Sequence, residues 1–210
     1  MAPEAKRRPR WNMTRFVPVP GHAAVAHLSA RPLSPVLGAL PPQDMEVLRC
    51  AGLDSRLLVC VLGRPQPVDL LRSKEGRLRA ITAALPCKGV LLASTALWVH
   101  VGGPAPDALE VSLPGGRRSR LPYLVTRRGR LPHCDTTVIS GITCATIARA
   151  AVDIARLGPP VQAVQAIMAA RDHGVSRVRL LLTLNHCRGA ASRGCPRAQH
   201  IIEEIMAGAS

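Results

Sequence analysis

Two His-Cys pairs and one further cysteine are the residues of this chain that most resemble a zinc-ligand set. They are His133-Cys134, His186-Cys187 and Cys195. Zinc sites in proteins usually contain two cysteines or two histidines within about five residues of each other. None of these residues forms such a pair. The sequence therefore predicts no metal site and no cofactor, with the cysteines buried and the histidines at the surface.

The acidic residues give no sign of catalytic chemistry. The chain has 13 aspartates and glutamates, and they are not grouped as the carboxylates of a metal-dependent nuclease would be. The sequence also lacks a glycine-rich phosphate loop and a Gly-x-Ser-x-Gly turn. We therefore expect a protein that is not an enzyme.

Arginines frame a predicted β-hairpin over residues 109–126. In this interpretation they contact nucleic-acid phosphates, which positions a protein on a duplex without reading its bases. The alternative is a hairpin tip whose charges only keep the protein soluble. The arginines on the two sides of the hairpin are Arg117, Arg118, Arg120, Arg127, Arg128 and Arg130.

A second charged group follows helical spacing. Arg149, Asp153 and Arg156 lie at positions i, i+4 and i+7 of a predicted helix, so they share one face and can pair. The set is interpreted as a structural ion pair that orients the helix against the sheet. Two alternatives remain open, namely a face that contacts a polyanion or a toxin and an ordinary solvated face.

The overall charge favours an acidic partner. The formal net charge is +15, and only three of the 28 basic residues are lysines. Such a balance favours polyanions, although biased codon usage could produce an arginine excess without selection for binding. The odd cysteine count, the absence of an apolar leader and the absence of a long apolar run predict a reduced, cytoplasmic protein with no membrane partner.

The N-terminal third carries weak structural signals. Residues 1–32 are predicted to be a basic, disordered lead-in, with a nucleic-acid-contacting arm and upstream sequence translated from a misplaced start as alternatives. Residues 33–68 suggest a helix, a turn, a second short helix and a strand over 58–62. That order is typical of a winged helix, but the many prolines indicate a short or degraded one.

Residues 69–210 carry a clearer pattern of strands and helices. The sequence predicts a buried strand near residues 89–93, a short helix capped by Ser94, the hairpin 109–126, and a strand pair joined by Ser140-Gly141. Four helices follow: Ile147–Leu157 with Thr146 as its cap, Pro160–Arg171, Arg177–His186 after Ser176, and one opened by Pro196. In the second of them the predicted apolar stripe consists of Val161, Val164 and Met168. The predicted fold class is α+β, a small antiparallel sheet packed on a C-terminal helical bundle.

The run from Gly141 to Arg156 resembles the signature of AbiEi-type antitoxins, which are also transcriptional regulators. Three further segments resemble the same family in order and spacing: 90–100, 110–118, and Cys187-Arg188-Gly189 with Gly194 and Ala198. Together they cover about residues 70–207. The matching residues of the main run are Gly141, Ile142, Thr146, Ala148, Arg149, Asp153, Ala155 and Arg156.

The resemblance implies a winged helix that binds operator DNA and an antitoxin domain whose partner is a nucleotidyltransferase-like toxin. The chain departs from the family in two places. Ala150 replaces a threonine, and Arg56 is the single arginine where a recognition helix usually has several basic residues. The expected function is a non-enzymatic, antitoxin-like regulator. The alternative is a fragment or decayed paralogue of a regulator–nuclease fusion without its catalytic domain.

Overall fold

The computed structural model describes residues 42–85, 89–128, 131–187 and 192–207. All of them belong to one folding unit, Leu37–Ser210. The predicted lead-in at 1–32 and the first part of the predicted winged-helix segment, 33–41, lie outside the described residues.

The described chain starts with two helices and a β-hairpin. Helix α1 (Pro42–Cys50) and the single-turn helix α2 (Asp54–Leu57) precede strands β1 (Leu58–Val61) and β2 (Arg64–Pro67), which pair antiparallel. Leu62 and Gly63 both have positive φ, 51° and 75°, as the two central residues of the tightest hairpin turns require. Helix α3 (Lys74–Thr82) begins at Ser73, whose hydroxyl accepts a hydrogen bond from the N–H of Gly76.

A five-stranded sheet follows, in the spatial order β5-β4-β3-β7-β6. Strand β3 pairs antiparallel with β4 and parallel with β7. Strands β6 and β7 form the predicted hairpin across Ser140 and Gly141, which both have positive φ. The five strands are β3 (Val90–Leu91), β4 (Leu109–Ser112), β5 (Leu124–Thr126), β6 (Thr136–Ile139) and β7 (Ile142–Ala145).

The predicted antiparallel hairpin over 109–126 is wrong, because β4 and β5 run parallel. Pro114–Gly116 forms a single 3-10 turn instead of a tight two-residue hairpin turn. The long connection over residues 113–123 then carries the chain back to the start of β4 before β5 begins. The sheet is therefore mixed, and the prediction of a purely antiparallel sheet is wrong as well.

Helix α5 (Ile147–Leu157) is the centre of the helical layer, and nine of its eleven residues are buried. It packs against the other four helices of the layer. Its N-cap Thr146 accepts from the N–H of Arg149, and Ser176 caps a later helix in the same way, as the sequence predicts. The surrounding helices are α4 (Ala93–Val101), α6 (Pro160–Asp172), α7 (Arg177–Asn185) and α8 (Cys195–Ala207).

Two local predictions about these helices are wrong. Ser94 lies inside α4, whose N-cap is Leu92. In α6 the predicted stripe faces outward, with Val161, Val164 and Met168 exposed by 68%, 39% and 40%. Small residues on the opposite face allow α6 to approach α5 closely, so the buried side of α6 consists of Ala163, Ala166, Ile167 and Ala170.

Candidate functional site

A chain of four buried charges crosses the interior between the sheet and the helices. Asp135 ends a short turn before β6, while Arg149, Asp153 and Arg156 share one face of α5. Arg149 donates from Nη1 to Asp135 Oδ2 at 3.2 Å and from Nε to Asp153 Oδ2 at 2.9 Å. Arg156 donates from Nη1 to Asp153 Oδ1 at 2.8 Å. The structure thus brings the three predicted charges together and adds Asp135 to them.

The four buried charges, two positive and two negative, compensate one another. None of the four residues is more than 8% exposed. Burial alone would lower the pKa of Arg149, but Asp153 and the hydrogen bond to Asp135 together raise it. Arg149 therefore stays charged. Each of these buried ions depends on its partners, because an unpaired charge in the interior strongly destabilises the fold. Asp135 lies outside the helical repeat of α5, so the helical spacing that identified its partners could not identify it.

Arg156 connects this chain of charges to the start of α8. Its Nε donates to the carbonyl oxygen of Arg193 at 3.1 Å, and its Nη1 contacts Cys187 Sγ at 3.3 Å. Gly194, at φ +76°, lies directly against the backbone of Arg156. The first turn of α8 is therefore held against the last turn of α5.

Four arginines converge where α5, α8 and the end of β5 meet. They line a cleft of about 510 Å³, which we call the arginine cleft. Arg193 and Arg197 are exposed, Arg127 is half-buried, and Arg156 is buried beside Asp153. Among the described residues, the lining of the arginine cleft consists of Arg127, Arg156, Leu157, Arg193, Gly194 and Arg197.

Glu110 balances one of these arginines. Its carboxylate accepts from the hydroxyl of Ser94 at 2.6 Å, from the N–H of Ser94 at 3.3 Å, and from Nε of Arg127. The carboxylate therefore lies at the N-terminus of α4, where the helix dipole favours negative charge. Arg127, which the sequence predicts to bind nucleic acid, is thus in an ion pair.

The other predicted nucleic-acid contacts lie on the surface. Arg117, Arg118 and Arg120 are exposed in the connection between β4 and β5, and Arg128 is exposed just after β5. Parallel strands end at the same edge of a sheet, so both arginine groups begin at one edge. A Cβ added to Gly116 would lie 3.9 Å from Cγ of Arg128, which places Arg128 beside the turn that leads to Arg117.

Two further arginines that the sequence singles out are Arg56 and Arg130. Arg56 is exposed on α2, and Arg130 lies outside the described residues. Sequence reasoning missed Arg193 and Arg197, because they come from a segment without a strand or helix pattern on its N-terminal side. Arg197 lies in α8, whereas Arg193 precedes that helix, so helical spacing could not have grouped the two.

The buried thiol of Cys144 and the half-buried imidazole of His100 both have shifted pKa values. Burial raises the pKa of Cys144 to about 11, so its thiol is protonated at neutral pH. Burial also lowers the pKa of His100, although the carbonyl oxygen of Ala145, 2.8 Å from Nε2, raises it. Cys144 packs in the core, and the ring of His100 makes a hydrogen-bonding contact with the backbone of β7.

Comparison with family models finds no match, and searches among curated proteins and solved structures find no significant similarity. Among the described residues, no helix has the length and apolar composition that crossing a bilayer requires. The six cysteines in the described ranges carry free thiols.

Proposed function

We propose that this chain is a non-enzymatic, antitoxin-like transcriptional regulator that binds double-stranded DNA in the cytoplasm. The observation that carries the proposal is the arginine cleft, where Arg127, Arg156, Arg193 and Arg197 meet. The resemblance of residues 141–156 to AbiEi-type antitoxins supports the same class of protein.

The charges at the arginine cleft suit a phosphate backbone. Glu110 and Asp153 pair with Arg127 and Arg156, so those two arginines mainly shape the wall. Arg193 and Arg197 are exposed at its mouth and would make the phosphate contacts. Contacts of this kind supply affinity that depends on salt and carries little sequence information.

Sequence recognition would come from the N-terminal elements. The order of α1, α2 and the β1–β2 hairpin supports this proposal, because in a winged helix the recognition helix precedes the β-hairpin wing. Helix α2 has four residues, and Arg56 is the basic side chain that it offers to a groove. We therefore expect weak base readout by the described residues and an affinity that comes mainly from phosphate contacts.

The direct test is fluorescence anisotropy with duplex DNA from the region upstream of the gene. The cleft variant Arg193→Ala/Arg197→Ala should bind on the order of tenfold more weakly than the unmodified chain at low salt. The matched variant Arg79→Ala/Arg177→Ala removes two exposed arginines that do not line the cleft, and it should bind as the unmodified chain does. Equal affinity of all three proteins would refute the role of the cleft.

Neutralisation of a nucleotidyltransferase-like toxin is the second candidate function. It is favoured by the exposed apolar residues of α6, since exposed apolar patches often mark protein contacts. The product of the adjacent gene should co-purify with the chain, and Val161→Asp/Met168→Asp should abolish that association without unfolding the protein.

Failure of both experiments would favour the remaining alternative, a fragment or decayed paralogue of a regulator–nuclease fusion. The circular dichroism spectrum of the same preparations would then show an intact fold without either binding activity. Detection of binding in one experiment decides against decay.

A further inference from the structure

Three potential metal ligands meet where the turn before β6 approaches the end of α7. Cys134 Sγ lies 3.9 Å from His186 Nδ1 and 3.9 Å from Asp135 Oδ1. His186 Nδ1 lies 3.0 Å from Asp135 Oδ1. All three ligand atoms are within 4.8 Å of one another.

These separations come within a few tenths of an ångström of what a zinc ion needs. Zinc bonds of about 2.3 Å to sulfur and about 2.0 Å to nitrogen or oxygen place tetrahedral ligand atoms about 3.3 to 3.6 Å apart. The observed distances of 3.0 and 3.9 Å lie on either side of that range. Shifts of a few tenths of an ångström would complete the geometry. Thiolate, imidazole and carboxylate are also the three ligand types that zinc accepts in proteins.

Neighbouring arginines hold the ligands in place. Arg149 donates to Asp135 Oδ2, which orients the carboxylate. His186 Nδ1 lies 3.0 Å from Oδ1 and 3.1 Å from Oδ2, and Cys134 Sγ approaches Oδ1. Arg179 donates from Nη2 to the carbonyl oxygen of Cys134 at 2.7 Å, which ties the ligand loop to α7. Outer contacts of this kind are a regular part of protein metal sites.

We propose that Cys134, Asp135 and His186 form a binding site for Zn²⁺ or a divalent metal of the same class. Asp135 is fully buried and Cys134 is exposed, so the fourth coordination position faces solvent and would hold water. Three protein ligands with one open position are typical of zinc sites that exchange their fourth ligand. The sequence predicts no metal site. Of the five residues considered there, the proposed set keeps Cys134 and His186, and it adds Asp135.

Sequence spacing could not reveal this arrangement. Asp135 and His186 are 51 residues apart in the sequence. They meet because the buried charged side chains of α5 hold the turn before β6 against the end of α7. The bound ion would join these two segments directly.

The test is titration of the full chain with Co²⁺, after removal of metal by a chelator and with a reductant that contains no thiol. We expect one Co²⁺ per chain, a thiolate-to-cobalt charge-transfer band and the ligand-field bands of a tetrahedral site, all displaced by Zn²⁺. Cys134→Ser should remove the charge-transfer band. His186→Gln should weaken binding at least tenfold, since loss of an outer contact alone costs about 10- to 100-fold.

The matched controls are Cys60→Ser and His200→Gln, which change an exposed cysteine and an exposed histidine elsewhere. Both should keep the spectrum and the affinity of the unmodified chain. The proposal is overturned if the unmodified chain develops no charge-transfer band, or if Cys134→Ser retains it. Should a ligand variant fail to fold, alkylation of the unmodified chain decides: Zn²⁺ should protect Cys134 and leave Cys60 reactive, and equal reactivity would refute the site.

Discussion

Gly194 approaches Arg156 so closely that a Cβ at Gly194 would lie 2.2 Å from the carbonyl oxygen of Arg156. This contact seats the start of α8 on the end of α5, and it forms the floor of the arginine cleft. A side chain at position 194 would have to push the two helices apart.

Gly194→Ala should therefore destabilise the protein more than an alanine at an equivalent backbone position. Gly174 provides that reference, because its φ of +77° is nearly the same and a Cβ there would meet no atom within 4 Å. We expect Gly174→Ala to cost about 1 to 2 kcal/mol from backbone strain alone. Gly194→Ala should cost at least about 1 kcal/mol more, as measured by urea unfolding. Equal losses would contradict the close contact.

Removing Arg149 should be severely destabilising, because Asp135 and Asp153 would remain buried without their shared partner. Loss of one member of a buried ion pair costs about 3 to 5 kcal/mol. Arg171→Ala is the control, since Arg171 pairs with Asp172 at the surface and such a pair contributes about 1 kcal/mol or less. The urea concentrations at the unfolding midpoints of the two variants should differ clearly. Similar midpoints would mean that the buried charges are not held as described.

The orientation of α6 can be tested with two adjacent residues. Ile167 is fully buried, whereas Met168 is 40% exposed. Ile167→Ala should destabilise the protein by about 2 to 5 kcal/mol, and Met168→Ala by about 0.5 kcal/mol. A larger loss of stability for Met168→Ala than for Ile167→Ala, in thermal or urea unfolding, would support the apolar stripe that the sequence predicts and contradict the observed orientation.

His100 should make stability depend on pH in the acidic range. Burial lowers its pKa below the ordinary value of 6.5, opposed by Ala145 and assisted by Lys74 and Arg77. The unfolded chain then binds the proton at a higher pH than the folded chain does. Stability is therefore fully present above about pH 6.5 and is lost as the pH falls through that value toward the folded pKa.

His100→Gln should reduce the loss of stability between pH 7.5 and pH 5.5, because glutamine keeps an N–H donor for Ala145 without titrating. His200→Gln, a change at an exposed histidine, should leave that loss as it is in the unmodified chain. An unchanged pH dependence in His100→Gln would show that other groups determine it.

The local helix signals in the sequence were sufficient to place most of the helical layer. Thr146 and Ser176 mark helix starts by hydrogen bonds that depend only on residues three positions apart, so local sequence contains the information. The tight Ser140-Gly141 turn is equally local. The three residues of the ion pair on α5 were also accessible, because helical periodicity alone places them on one face.

The remaining features depend on contacts between distant segments. Parallel pairing of β4 and β5 depends on how the connection 113–123 folds back, which no turn motif specifies. The buried face of α6 depends on how closely α5 approaches it, so alanines were buried there in place of larger apolar residues. Asp135, Arg193 and Arg197 join the site only because the fold brings two separate segments, the turn before β6 and the start of α8, to α5.

The salt dependence of DNA binding tests the central claim most directly. The slope of log affinity against log salt should be smaller in magnitude by about 1.8 for Arg193→Ala/Arg197→Ala than for the unmodified chain, because each phosphate contact contributes about 0.9. Arg79→Ala/Arg177→Ala should keep the slope of the unmodified chain. Identical slopes for all three proteins, or an equal decrease in both variants, would contradict binding through the arginine cleft.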